Sequence, residues 1–290
     1  MAISAADVKK LRDATGAGPL ECKKALEDTG GDFGRAEKLL KEKGLAAVEK
    51  RSGRATNEGK IFVRVDPESG LGGAAVLVEL ASETDFVARN PEFLELGARL
   101  AALILEKGHT EPVEELSSQV TELATKIREN MSLKRLKVIK AAANEYLSSY
   151  IHGDGAIGVV VKLAAGDAGA FAHEEVRALA FNLALHIAAF NPMALDRDGI
   201  GKEYIAEQEG IFLKQMEGDE KMLAMREAKP EQFEKILQGK VNKHLQEICL
   251  LQQHYVKDEK LTVEKVLADT GRKAGSELRI ADYAYFKVGE

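Results

Sequence analysis

Adding 83 to each residue number lays residues 74–82, AAVLVELAS, on residues 157–165, IGVVVKLAA, without a gap. At the same offset RLAALI (99–104) falls on NLALHI (182–187). Identities are few, but the apolar positions agree: Val76 with Val159, Val78 with Val161, Leu80 with Leu163, Leu96 with Leu179, Leu100 with Leu183 and Ile104 with Ile187. A run rich in Val and Leu, followed by apolar residues at three- and four-residue spacing, reads as a strand and then an amphipathic helix. That order, found twice at one offset, predicts a duplicated β-hairpin-plus-helix unit. Each antiparallel sheet is covered by helices, so the fold class is α+β with a core of two similar subdomains. In the first copy the hairpin partner is KIFVRV (60–65), joined through Asp66-Pro67-Glu68-Ser69-Gly70. Asn90 is the N-cap of the covering helix and Pro91 its first residue, ahead of Phe93, Leu94, Leu96, Leu100, Leu103 and Ile104.

Residues 1–52 read as a small three-helix domain. Ser4 caps a first helix, with Asp7 completing a partial capping box and Val8 and Leu11 supplying its stripe. Thr15-Gly16-Ala17-Gly18 interrupts the pattern, and Pro19 opens a second helix with Leu20, Ala25 and Leu26 along it. Gly30-Gly31 breaks again, Asp32 caps, and Phe33, Ala36, Leu39 and Leu40 form a third stripe. EKRSGRATNEG (49–59) predicts a flexible tether. The core then divides into subdomains at 56–140 and 141–290, the second with an insertion at about 198–250. There Ile200, Tyr204, Ile211, Gln215, Met222 and Met225 mark one face of a long helix that Gly210 and Gly218 interrupt. Lys229-Pro230 turns the chain, and Phe233, Leu237, Val241, Leu245 and Ile248 run back. Dense charge on the other faces predicts a projecting antiparallel helical hairpin. TVEKVLADT and ELRIADYAYFKVG supply a final helix and strand.

The chemistry suggested by isolated motifs is weak. GDGAIG matches G-x-G-x-x-G, but a strand follows it where a dinucleotide site needs a helix, and Asp154-Gly155 reads as a hairpin turn. The chain has no G-x-x-x-x-G-K-[ST], H-E-x-x-H or G-x-S-x-G. Glu83 and Asp85 are the one imaginable acid/base pair, and nothing nearby suggests a pocket for a substrate. No catalytic residue, cofactor or metal site is expected. Two cysteines far apart, Cys22 and Cys249, indicate no disulfide framework. No long apolar run and no signal-like start predict a cytoplasmic protein without a membrane span. A net charge of −6 argues against a dedicated nucleic-acid binder. The basic exception at Lys134, Arg135, Lys137 and Lys140 carries the alternative reading, a ribosome- or RNA-associated protein.

Thr84-Asp85-Phe86-Val87 lies in the polar connection between strand and helix, where an aromatic needs explaining. The repeat supplies a control, because the second copy has Asp167-Ala168-Gly169-Ala170 there. The scaffold therefore closes without an aromatic at that place, which favours Phe86 as an outward anchor. LRDATGAGPLECKKAL (11–26), TDFVARN (84–90), SYIHG (149–153) and the terminal FKVGE together closely resemble the elongation factor Ts family. The resemblance spans essentially the whole chain. It implies a UBA-like three-helix domain, two similar core subdomains, a coiled-coil hairpin, and guanine-nucleotide exchange on the GTPase EF-Tu without covalent catalysis. By that resemblance Thr84, Asp85, Phe86 and Val87 form the segment that enters EF-Tu beside its Mg²⁺ and nucleotide. Leu20 and Lys23 contact the GTPase domain, and His152 meets the EF-Tu surface. The family commonly carries methionines where this chain has Pro19-Leu20, which alters the shape of that contact. Direct nucleic-acid contact is not expected, and homodimerisation is left open.

Overall fold

The computed structural model describes residues 3–67 and 70–290; Glu68 and Ser69 of the expected hairpin turn lie outside the described residues. The first helix, α1 (Ala5–Thr15), starts from the expected capping box, the Asp7 amide donating to Ser4 Oγ at 3.1 Å, and ends at left-handed Gly16. α2 (Pro19–Asp28) opens with the Gly18 amide donating to Glu21 Oε2 at 3.0 Å, and α3 (Phe33–Arg51) opens from Asp32. Leu11, Cys22, Ala25, Leu26, Ala36 and Leu40 form their shared core. Leu20 is not part of the buried stripe; it is 83 % exposed. Cys22 is two positions on from Leu20, about 200° around the helix, so the face that buries Cys22, Ala25 and Leu26 turns Leu20 outward.

The expected tether is held in place. Glu49, Lys50 and Arg51 belong to α3, and Thr56 is buried with its Oγ1 3.3 Å from Ser132 Oγ. Asn130 Nδ2 donates to the carbonyls of Ser52 and Arg54 at 3.3 and 2.8 Å. Polar composition alone cannot distinguish a solvated linker from one whose backbone finds partners in the core.

Beyond it come β1 (Glu58–Asp66), β2 (Leu71–Ser82), α4 (Asp85–Ala88), α5 (Pro91–Lys107), α6 (Glu114–Ile127), β3 (Met131–His152) and β4 (Ile157–Ala165). α7 (Glu174–Phe190), α8 (Lys202–Glu217), α9 (Glu220–Ala228) and α10 (Pro230–Ile248) follow. The chain closes with β5 (His254–Tyr255), β6 (Asp258–Thr262), α11 (Val263–Ala274) and β7 (Leu278–Lys287). Five strands form an antiparallel sheet in the order β1-β2-β3-β4-β7, and β5 pairs with β6. β1 and β2 are in register at Lys60↔Leu80 and Val65↔Ala75.

The repeat holds at the level of element boundaries. β2 and β4 end at Ser82 and Ala165, and α5 and α7 run from Pro91 to Lys107 and from Glu174 to Phe190. The left-handed caps Gly108 and Asn191 are 83 residues apart, as are the starts of α4 at Asp85 and of the 3₁₀ turn Ala168–Ala172. All twelve residues paired by the sequence offset are buried. One offset thus governs strand end, turn, helix and cap.

Two compact units divide the chain: Met1–Lys140 with Ile151–Val160 and Phe286–Glu290, and Ala141–Tyr150 with Val161–Tyr285. The first contains the core of Val76, Val78, Leu80, Phe93, Leu96 and Leu100, sealed by Leu116 and Val120 of α6. The second contains the helical hairpin, α8 and α9 against α10, with its own small cores. Its inner stripe differs from the expected one. Ile211 and Gln215 are exposed, whereas Phe212 and Met216 pack against Leu237, Val241 and Leu245. Both stripes keep helical spacing, but the one carrying Phe and Met buries more apolar surface than the one carrying Gln. Gly218 ends α8 and Asp219 caps α9, so the outgoing arm is two helices.

Candidate functional site

The Thr84–Val87 segment begins where β2 stops. Ser82 Oγ donates to the Thr84 carbonyl at 3.0 Å, fixing the exit from the strand. Thr84 is the N-cap of α4, its Oγ1 accepting the Val87 amide at 3.4 Å and donating to Glu129 Oε1 and Oε2 at 3.1 and 3.0 Å. Val87 and Ala88 are buried in the first core. Val87 therefore offers no surface outward, and Thr84 is occupied by its own cap and by Glu129. With both ends of the turn fixed, the middle is presented. Phe86 is 81 % exposed, while the nearby Phe93 is fully buried. Asp85 is half-exposed and paired with Arg89 at 3.1 Å, one helical turn on.

Glu83, once imagined with Asp85 as an acid/base pair, is committed to structure. The Asn130 amide donates to its Oε1 at 2.6 Å and Arg54 lies 3.2 Å from Oε2. The amide first, then the guanidinium, hold this carboxyl below the usual carboxylate range, which suits an anchor and not a proton donor near neutrality.

Leu20 and Lys23 lie on the outer side of α2, with Lys23 3.8 Å from Glu27. His152 is exposed at the end of β3, beside exposed Ile151 and ahead of the turn Gly153–Gly155. That turn is pinned by Lys60 Nζ, 2.6 Å from Asp154 Oδ2. Lys60 holds the Asp154 carboxyl below its ordinary value. Ile151 and Leu94 line a shallow groove of about 370 Å³ along β1. Sequence reading missed Ile151, although an isoleucine beside a polar turn is the same kind of signal as Phe86.

The basic stretch behind the RNA reading is partly engaged within the protein. Arg135 Nε donates to buried Glu79 at 2.6 Å, its Nη2 donates to the Lys287 carbonyl at 2.9 Å, and its guanidinium covers the Phe286 ring at 4.3 Å. Also missed were Arg128, Glu129 and Asn130, which join the two segments carrying Leu20 and Phe86. A short polar connection between a helix and a strand gives no periodic signal. No helix among the described residues is long and apolar enough to cross a membrane.

The chain thus combines a three-helix unit, a duplicated strand-and-helix core and a helical hairpin, with an aromatic displayed from a fixed turn. A family model described as "Elongation factor TS" matches residues 83–290. Elongation factor Ts of Treponema denticola is 44 % identical over 289 residues, covering 100 % of this chain and 99 % of the relative. Elongation factor Ts of Borrelia hermsii is 40 % identical over 291 residues, covering all of both chains. The chain belongs to the elongation factor Ts family.

Proposed function

We propose that this chain is a cytoplasmic guanine-nucleotide exchange factor that binds EF-Tu·GDP and promotes release of GDP, and that Asp85 and Phe86 act at the partner's Mg²⁺ and phosphate site. The observation that carries the reading is the 81 % exposure of Phe86 on a turn whose two ends are fixed by Thr84 and Val87. A free aromatic on an immobile support loses little conformational freedom on binding, which suits a hot-spot anchor. Thr84 and Val87 position the wedge. Leu20 and Lys23 on α2, and His152 at the end of β3, add contacts elsewhere on the partner. The three-helix domain at 1–52 supplies one of these contacts, and the core the others.

The energetics require several contacts. In P-loop GTPases Mg²⁺ bridges the phosphates to a hydroxyl and an Asp, and backbone amides cradle the phosphates. An exchange factor binds the nucleotide-free state more tightly than the loaded one, and by linkage weakens nucleotide binding by the same factor. A thousandfold effect needs about 4 kcal/mol of difference. Burying one Phe supplies roughly 1.5–3 kcal/mol, so Phe86 shares the work with Leu20, Lys23 and His152. The test is release of a fluorescent GDP from EF-Tu in the presence of substoichiometric amounts of this chain. Acceleration supports the reading, and an unchanged rate removes it.

A further inference from the structure

We propose that Arg128, Glu129 and Asn130, between α6 and β3, are positioning residues that lock the Leu20-bearing helix and the Phe86-bearing turn into one docking surface. The inference rests on the exchange reading above. Three consecutive residues reach in different directions. The Arg128 guanidinium pairs with Glu21, the residue next to Leu20 on α2, and holds that carboxyl below its usual range. Glu129 receives the Thr84 hydroxyl at 3.0–3.1 Å, holding the N-cap of the Phe86 turn. The Asn130 amide donates to Glu83, just before that turn, and its side chain holds the Ser52 and Arg54 carbonyls that connect α3 to the core.

A second, independent observation is the close seating of the three-helix unit on α6. A Cβ at Gly16 would lie 2.8 Å from Lys126 Cγ and 2.9 Å from the Lys126 carbonyl oxygen. A Cβ at Gly44 would collide with Thr125 Cγ2, and Val48 of α3 packs against the first core. The helices thus rest on the last turn of α6, and the residues that leave that turn hold both docking elements. Two contacts in fixed register bind a partner more tightly than two on a loose tether, because the first engagement presents the second at high effective concentration.

The test separates positioning from folding. The Arg128–Glu21 pair is exposed, so Arg128→Ala should leave the melting temperature within about 2 °C of wild type. It should nevertheless raise the KM for EF-Tu·GDP roughly fivefold with kcat held, as expected when a uniform binding contact loses register. Arg128→Lys should recover most of the loss. Leu20→Ala should cost much less in the Arg128→Ala background than alone. On the other side, Glu129→Ala should lower kcat while Glu129→Gln, still able to accept from Thr84, stays near wild type. Spin labels at Lys24 and Arg89 give a readout independent of exchange: a narrow distance distribution in the otherwise unaltered chain, broadened by Arg128→Ala. Additive losses with an unbroadened distribution overturn the brace. If the wild-type chain fails to accelerate GDP release, the exchange reading falls, while the label distances still decide whether the two elements are locked together.

Discussion

Phe86 and Gly169 occupy the same place in two copies of one turn, 83 residues apart, each one residue inside a short helix that follows a buried strand. The N-caps correspond, Thr84 accepting from the Val87 amide and Asp167 from the Gly169 amide. The buried pair that closes each turn corresponds as well, Val87 and Ala88 against Ala170 and Phe171. The copies differ at the outward position, where one has an exposed ring and the other has no side chain. Closure of the turn needs neither side chain.

Stability should separate the neighbours Phe86 and Val87. Phe86→Ala removes a ring that is mainly solvent-exposed, and its unfolding free energy should stay within about 0.5 kcal/mol of wild type. Val87→Ala opens a void in the first core and should cost roughly 2 kcal/mol. Denaturant titration of both variants checks this. A large loss for Phe86→Ala would place its ring in the core.

Removal of residues 1–51 should leave a chain that still unfolds cooperatively. The three-helix unit has its own core of Leu11, Leu26, Ala36 and Leu40, and the first core is centred on β2, α5 and α6. The truncated chain should melt several degrees lower, because the cover given by Val48 goes with the deletion. Calorimetry reads both quantities, and a broad non-cooperative melt would show that the helices belong to the core fold.

Stability should also fall on mild acidification, through His186. This residue is fully buried, its Nδ1 accepting the Val256 amide at 3.2 Å and its Nε2 2.9 Å from Gln253 Oε1. Nδ1 is an acceptor, so Nε2 carries the proton and the ring is neutral. Burial pushes the imidazole below its ordinary value, with the Gln253 bond opposing. The unfolded chain then binds the proton more readily than the folded one, so stability is full above about pH 6.5 and is lost as pH falls below it. The slope should approach but not exceed about 1.4 kcal/mol per pH unit. Chemical denaturation between about pH 7.5 and 5.5 measures it. His186→Gln should lower stability at the upper end and remove the slope; an equal slope in the variant would assign it to other groups.

Much of this fold was legible because its signals are periodic. The offset between Val76 and Val159 located the strands and helices of both copies, and Ser4, Asp32 and Asn90 marked helix starts by their capping chemistry. Phe86 was legible by contrast with Gly169. Periodicity could not choose between adjacent stripes, so Ile211 and Gln215 were expected where Phe212 and Met216 pack. It could not separate Leu20 from the buried side of α2, because the first turn of a short helix offers too few positions to fix the face. The contacts of Asn130 with Ser52, and of Glu129 with Thr84, join residues far apart in sequence and leave no local pattern.

The most direct measurement is stopped-flow release of fluorescent GDP from EF-Tu, with wild-type chain and Phe86→Ala at equal folded concentration. Wild type should accelerate release at substoichiometric amounts. Phe86→Ala should be slower by roughly tenfold or more, the effect of losing about 2 kcal/mol at an interface anchor, with its melting temperature nearly unchanged. Equal acceleration by both proteins would contradict the account of Phe86, and no acceleration by either would contradict the exchange function itself.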